Sequence, residues 1–457
     1  MFIVRHNSLT GLVRNMRGMA AVFVVVAMLA VPLGLISTGA AADTNRDLTP
    51  ILIGPQRTDR FDGGEVVGVK AGDALFGVRY GTLDHPNDLV IFAEYKRFLG
   101  GAEIYDAEGN HLATRGIPVY TVLGQSLSRM IEFNDTDGDG LLNFYDVNET
   151  GAIVHVDTPV KALSLATSWT LSPVSTEVSG GTTYVNFTLS ASNVPYRVVW
   201  DPFPRPAMPS DGVLDSIAFA FHLRVDVVTR SASVPFYKVT VGSSSERTIN
   251  HVEFLGYRDV GGDAVEMGAK YDHLIDGWDF ASPSDKLALE THLVFGNYFP
   301  SPVAQFVHHT YFRDHADDGN GTYHQDENTT ATRPQLYTRD RIYLDDDWSR
   351  VGRFEWTSNV TVDGVDATML FQVQGGGRLF LLHGGNAFAG FWILGAFVYP
   401  NGRSIVHDPA VAAESFLPTL PTSVNLTPLT ILAVQLAVVA IAMGPALYLR
   451  AKARRQS

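Results

Sequence analysis

Ile217–Val225 reads IAFAFHLRV, with Ile217, Phe219, Phe221, Leu223 and Val225 on one side of a two-residue repeat and Ala218, Ala220, His222 and Arg224 on the other. An extended strand turns successive side chains to opposite faces, so this spacing predicts a strand with one face in a core and the other toward water. Thr183–Leu189 (TYVNFTL), Asp88–Tyr95 (DLVIFAEY), Leu287–Phe295 (LALETHLVF) and Ala367–Val373 (ATMLFQV) are runs of the same kind. Gly, Pro, Asn or Asp interrupts them about every eight to twelve residues, the punctuation of antiparallel sheet. No amphipathic helix is evident between the two ends of the chain, and 34 Asp against 14 Glu suits turns better than helices. The fold expected is all-β: two to three β-sandwich domains outside a membrane, plus one C-terminal transmembrane helix.

The membrane part of that expectation comes from the ends. Arg5, Arg14 and Arg17 precede an 18-residue apolar run, Met19–Ile36, and Ala40, Ala41 and Ala42 follow it. Residues 1–42 therefore read as a signal peptide, with an uncleaved N-terminal anchor as the alternative. Leu429–Leu449 is a 21-residue stretch whose polar members are Thr430 and Gln435, followed by Arg450, Lys452, Arg454 and Arg455. Its length suits one crossing of about 30 Å of hydrocarbon, and the basic tail, 450–457, places the C-terminus in the cytosol. The bulk of the chain is then extracellular, anchored to membrane lipid through the C-terminal helix. Between the ends the expected units are β domains at 43–133, 150–299 and 300–414, a loop at 134–149 and a proline-bearing stalk at 415–428. Leu379–Tyr399 is as apolar as a span, but His383-Gly384-Gly385-Asn386 punctuates it, so it reads as two buried strands, with a membrane-touching hairpin as the alternative.

Composition narrows the chemistry. The chain of 457 residues has no cysteine, which removes disulfides, thiolate zinc sites, iron–sulfur clusters and cysteine nucleophiles. All 48 acids lie in residues 43–428 with 27 of the bases, a net charge of −21. Such a field repels nucleic acid and attracts divalent cations and basic partners. Seven asparagines stand in N-x-S/T sequons: Asn134, Asn148, Asn186, Asn320, Asn328, Asn359 and Asn425. All seven fall on the outer side of the expected topology, where this acceptor pattern is used.

The most specific motif is Asp135-Thr136-Asp137-Gly138-Asp139-Gly140-Leu141-Leu142-Asn143-Phe144-Tyr145-Asp146. Counting from Asp135, carboxylates stand at loop positions one, three and five, a glycine at six, the Leu141 carbonyl at seven, Asn143 at nine and Asp146 at twelve. Calcium takes six to eight hard oxygens at about 2.3–2.6 Å, which alternate side chains of a tight loop can supply. Asp135, Asp137, Asp139, Leu141, Asn143 and Asp146 are the expected Ca2+ ligands. The dozen residues resemble the D-x-D-x-D-G loops of dockerins and thrombospondin type 3 repeats. They depart from both in standing as a single copy, without a clear helix, and with Asp rather than Glu at the twelfth position.

Weaker constellations follow. His308, His309, His315 and His324 share a window with Asp314, Asp317, Asp318, Asp326 and Glu327, which reads as a solvated loop, with a second cation site as the alternative. Asp272, His273, Asp276, Asp279, Glu290 and His292 offer acids and imidazoles around Trp278, enough to keep a hydrolase or carbohydrate-active enzyme as a second reading. The chain has no G-x-S-x-G elbow, no phosphate-binding G-x-x-x-x-G-K and no H-E-x-x-H. Signal segment, acidic sequon-bearing β-rich body, stalk, single span and basic tail together resemble archaeal cell-surface glycoproteins. That resemblance is one of architecture and implies location more than activity; the function expected first is that of a non-enzymatic, calcium-stabilised surface protein in cell-envelope structure, adhesion or ligand binding, with a cell-surface polymer, a protein or a second copy as partner.

Overall fold

The computed structural model describes residues 48–57, 64–143, 145–147, 153–155, 157–196, 212–242, 249–299, 323–324, 341–346, 349–383 and 386–418. The described part is all-β and contains no helix. From the N-terminal side the strands are β1 (Ile51–Arg57), β2 (Glu65–Ala71), β3 (Ala74–Tyr80), β4 (Leu89–Tyr105), β5 (His111–Asn134), β6 (Tyr145–Val147), β7 (Ile153–His155) and β8 (Thr158–Ser164). They continue as β9 (Thr170–Leu171), β10 (Ser175–Ser179), β11 (Thr182–Pro195), β12 (Val213–Val241), β13 (Ile249–Asp276), β14 (Lys286–Phe299), β15 (Tyr323–His324) and β16 (Arg341–Asp346). The last are β17 (Ser349–Glu355), β18 (Asn359–Val362), β19 (Val365–Thr368), β20 (Leu370–His383), β21 (Asn386–Tyr399), β22 (Ser404–His407) and β23 (Ala410–Pro418).

Two layers face one another. The first runs β1-β2-β3-β4-β5-β14-β21-β20, antiparallel at every step, with β8 taking over from β4 beside the second half of β5. The second runs β10-β11-β12-β13, then β22 and β23, then β18 and β17. The alternation that marks Ile217–Val225 is realised here: Ile217, Phe219, Phe221, Leu223 and Val225 are buried, and Ala218, Ala220, His222 and Arg224 between them are not. Those side chains share a core with Val67, Val69, Phe76, Val78, Ile91, Leu123 and Leu127 of the first layer and with Phe354, Phe371 and Phe397. The layers meet at a corner, where Phe236–Thr240 of β12 lies parallel to Gly101–Tyr105 of β4.

Pairing and core both run across the expected boundaries at residues 133, 150 and 299: β14 is bonded to β5 on one edge and to β21 on the other. A sheet joins partners by register and buried area, which a reading of successive segments does not contain. Leu379–Tyr399 ends β20 and forms β21, the two strands expected for it, joined through residues 384–385, which lie outside the description. Among the described residues no helix is long and apolar enough to cross a membrane. Met19–Ile36, the stalk beyond Pro418 and Leu429–Leu449 lie outside the described residues.

At β3 the first layer is buried on both faces: every residue of that strand is buried. The tip of the Phe92 ring lies against Gly77, where an added Cβ would stand 2.5 Å from Cζ, so a side chain at 77 would displace the ring. The outer face also carries Glu94, fully buried with neither carboxylate oxygen hydrogen-bonded. Burial pushes its pKa up to about 8, against a weaker pull from Lys70. Because the folded pKa is above the unfolded one, the stability this group allows is complete near pH 4 and is lost as pH rises toward 8. Glu94→Gln should therefore raise stability at pH 9 by an amount on the order of 2–5 kcal/mol and change it little at pH 4, as urea unfolding at the two pH values would measure.

Candidate metal centre

Strand β5 leaves the sheet at Asn134 and runs directly into the acidic loop. Short side-chain acceptors fold the loop locally. Asp137 Oδ1 accepts the Asp139 N–H at 3.2 Å, Asp139 Oδ1 accepts that of Leu141 at 2.8 Å, and Asp135 Oδ2 accepts that of Gly140 at 3.1 Å. Gly138 and Gly140 take φ of 74° and 80°, a left-handed backbone that costs glycine nothing and strains other residues.

These turns bring Asp135, Asp137 and Asp139 together, with one ligand oxygen from each within 4.8 Å of the others. Two oxygens on opposite sides of one calcium stand about 4.6–5.2 Å apart, so all three can touch the same ion. Asp135 is the innermost, its side chain 5% exposed. Its Oδ1 is buried without a hydrogen-bond partner, while Oδ2 holds the Lys286 ammonium at 2.7 Å. An orphaned carboxylate oxygen costs desolvation that a bound cation would return. Burial raises the pKa of Asp139, and the adjacent charges of Asp137 and Asp135 raise it further against the Leu141 N–H. Three carboxylates and one ammonium leave the loop with unbalanced negative charge.

The other expected ligands stand differently. Leu142 N–H donates to Gln372 Oε1 at 2.7 Å, which fixes the Gln372 amide and turns its Nε2 to the Leu142 carbonyl and to Asn143 Oδ1 at 3.0 Å. Asn143 thereby directs its nitrogen, not its oxygen, at Asp139 Oδ2, 3.4 Å away. In this arrangement the Asn143 oxygen is engaged by Gln372 and is not offered as a direct ligand. Leu141 buries its side chain. Asp146 lies in β6, opposite Val154 of β7, and its side chain is outside the description.

Sequence reading missed three residues that build the site. Asp157, fully buried, accepts the N–H of Thr136 at 3.2 Å and of Asn143 at 2.7 Å, while its own N–H donates to the Asn143 carbonyl at 3.0 Å. It ties the two ends of the loop together; burial, opposed by those bonds, raises its pKa to about 6. Gln372 comes from β20 and Lys286 from β14, so both are distant in sequence. The one local signal was a glutamine amid the apolar run of Ala367–Val373.

The loop packs as well as bonds. Leu142 covers Ile131, Phe133, Ala288, Ala396 and Val398, closing one end of the outer face of the first layer. The sequon Asn134 sits beside it with Nδ2, the atom a glycan would take, donated to Asp285 Oδ1 at 3.0 Å. Asn186 is half-buried against His222, and Asn359 is exposed at the start of β18. Asn148, Asn320, Asn328 and Asn425 lie outside the described residues.

The acids and imidazoles of the second reading are dispersed. Asp272 pairs on the outer side of β13 with Lys270 at 3.2 Å, whereas His273 is fully buried on the inner side, 2.7 Å from the Tyr399 hydroxyl. Tyr399 in turn meets His407 Nδ1 at 3.1 Å, and burial holds both imidazoles well below their ordinary pKa. Asp276 and Asp279 are exposed, Glu290 is bonded to Arg129, and His292 stands beside them on the other layer. The histidine window at 308–327 lies outside the described residues, except that Tyr323–His324 forms the short β15.

Compared with known proteins, the sequence matches no family model, and no curated protein matches it.

Removing the Asp157 carboxylate leaves two N–H groups of the loop without acceptors. Asp157→Ala should lower stability by about 2–4 kcal/mol in chelator as well as in calcium, because the defect precedes any ion. Urea unfolding under both conditions measures it.

Proposed function

We propose that this protein is a membrane-anchored extracellular glycoprotein that binds calcium in the loop 135–146 and uses the ion to brace its sheet, serving in cell-envelope structure, adhesion or ligand binding. The observation that carries the calcium reading is the convergence of Asp135, Asp137 and Asp139 around a buried oxygen of Asp135 that has no hydrogen-bond partner. Topology rests on the sequence: the leader, the C-terminal apolar stretch with its basic tail, and the sequons between them. The negative charge of residues 43–428 suits a surface that gathers divalent cations.

The ion's place explains what it does. The loop holds Leu142 over the outer face of the first layer, and the same loop carries the carboxylates, so filling the site fastens the cover to the sheet. Affinity in the class of extracellular modules, about 0.1–1 mM, suits three carboxylates from the loop and a competing ammonium from Lys286.

Lys286 makes the reading testable in both directions. Asp137→Ala and Asp139→Ala should abolish the rise in melting temperature that calcium gives the parent, whereas Lys286→Gln should tighten calcium binding about tenfold by removing a positive charge from the site. Calorimetric titration of purified protein with calcium decides it. Equal responses from parent and all three variants would place the ion elsewhere or nowhere.

A further inference from the structure

The sequon Asn134-Asp135-Thr136 overlaps the acidic loop, and the loop engages the groups a glycan transferase would need. Asn134 is the last residue of β5 and pairs with Thr158 of β8. Its Nδ2 donates to Asp285 Oδ1 at 3.0 Å, and its Oδ1 accepts the Thr136 hydroxyl at 3.2 Å. Asp285 is buried and gives its own N–H to the Ser282 carbonyl at 3.1 Å, so the acceptor that holds Nδ2 is itself fixed. The Thr136 N–H is held in turn by the buried Asp157 at 3.2 Å.

The sequon Asn359-Val360-Thr361 differs where the chemistry occurs. Asn359 opens β18, is exposed, and its side chain makes no hydrogen bond among the described residues. Thr361 follows on the same face of the strand and is half-buried.

N-glycan transfer joins an asparagine Nδ2 to the anomeric carbon of a sugar carried on a polyprenyl phosphate. The N–C bond forms, the bond from that carbon to the phosphate oxygen breaks, the lipid phosphate leaves, and one Nδ2 proton passes to a carboxylate of the transferase. An amide nitrogen shares its lone pair with the carbonyl, so it becomes a nucleophile only by rotating about its bond to that carbon. At Asn134 the rotation breaks the bond to Asp285 and leaves a buried carboxylate oxygen without its donor. At Asn359 it breaks no bond among the described residues.

We propose that the calcium-filled loop shields Asn134 from N-glycan transfer, so that a glycan there marks a chain whose loop has not closed, while Asn359 accepts one whatever the state of the loop. The inference rests on the calcium and glycoprotein readings above. A cation draws Asp135, Asp137 and Asp139 together and so holds the segment that follows Asn134. Without it their mutual repulsion loosens that segment, and the amide is released with it. Asp137 is exposed and takes no part in the bonds of Asn134, so its removal acts through the ion alone.

The full chain and its Asp137→Ala variant would be produced, with millimolar calcium outside, in a cell that N-glycosylates exported proteins. Occupancy at Asn134 and Asn359 would be read by mass spectrometry of their peptides. In the parent Asn134 should be severalfold less occupied than Asn359, and Asp137→Ala should raise occupancy at Asn134 severalfold without changing that at Asn359. Equal occupancy of the two sites in the parent, or no rise at Asn134 in the variant, overturns the shielding. Calorimetric titration of the same parent preparation separates the readings. If the parent binds calcium and either overturning result is found, the shielding falls and the calcium site stands. If it binds none, the calcium reading falls and takes the shielding with it. An Asn359 that is also bare removes the glycoprotein reading and this proposal together.

Discussion

Everything in the first layer depends on β5. It is hydrogen-bonded on one edge to β4 and then β8, and on the other to β14 from Tyr120 to Phe133, so no backbone group along that stretch is free to bend away. A strand held on both edges is fixed in register, and register fixes which side chains face each way. Leu123, Gln125 and Leu127 consequently face the second layer, and the Gln125 amide takes the hydroxyl of Tyr271 from that layer while donating to Thr291 of the neighbouring β14. On the opposite face Ile131 and Phe133 are packed by Leu142 of the loop that follows β5 and turns back over the strand. The acidic loop is thus placed by the same ladder that builds the core.

How much of this was written in the sequence divides along the range of the interactions. Strands such as Ile217–Val225 and Thr183–Leu189 are legible because burial on one face imposes a two-residue period inside a few residues. The loop at Asp135–Asp146 is legible for the same reason: Asx-type bonds and two left-handed glycines act within five positions. Asp157, Lys286 and Gln372 are not legible: Gln372 stands out as a polar residue in an apolar run, but its partner Leu142 lies 230 residues away and nothing local names it. Turn-rich stretches near 133 and 299 look like boundaries in one dimension, but β14 joins β5 to β21 across both.

Many polar groups inside the sandwich bond to one another, whereas Glu94 and Asp135 keep carboxylate oxygens without partners. Gln125, Thr291 and Tyr271 satisfy one another, and His273, Tyr399 and His407 form a chain that ends on the Thr357 carbonyl at 2.9 Å. Such networks stabilise one packing of the layers because each member would be costly alone. Glu132 likewise spends both oxygens, on the Trp278 indole and the Ala281 N–H, with Lys161 at 3.3 Å. Asp135 is half-buried: its Oδ2 takes the Gly140 N–H and the Lys286 ammonium, its Oδ1 is left over, and two further carboxylates stand beside it. The arrangement lacks positive charge, not hydrogen bonds.

That contrast bears on why a cysteine-free chain would use a metal here. A loop that leaves a two-edged strand and must return over the sheet loses conformational entropy at every residue it orders. A disulfide would restrict the unfolded chain and is absent from the composition. Hydrogen bonds from Asp157 and Gln372 secure the ends of the loop but leave the three carboxylates repelling one another at its centre. Lys286 offsets part of that repulsion from one side, at the innermost carboxylate only. On the proposed reading a divalent cation supplies the rest, and does so only where calcium is plentiful. The loop would then be tight outside a cell and loose wherever the ion is scarce, which ties the cover of the sheet to the compartment in which the protein works.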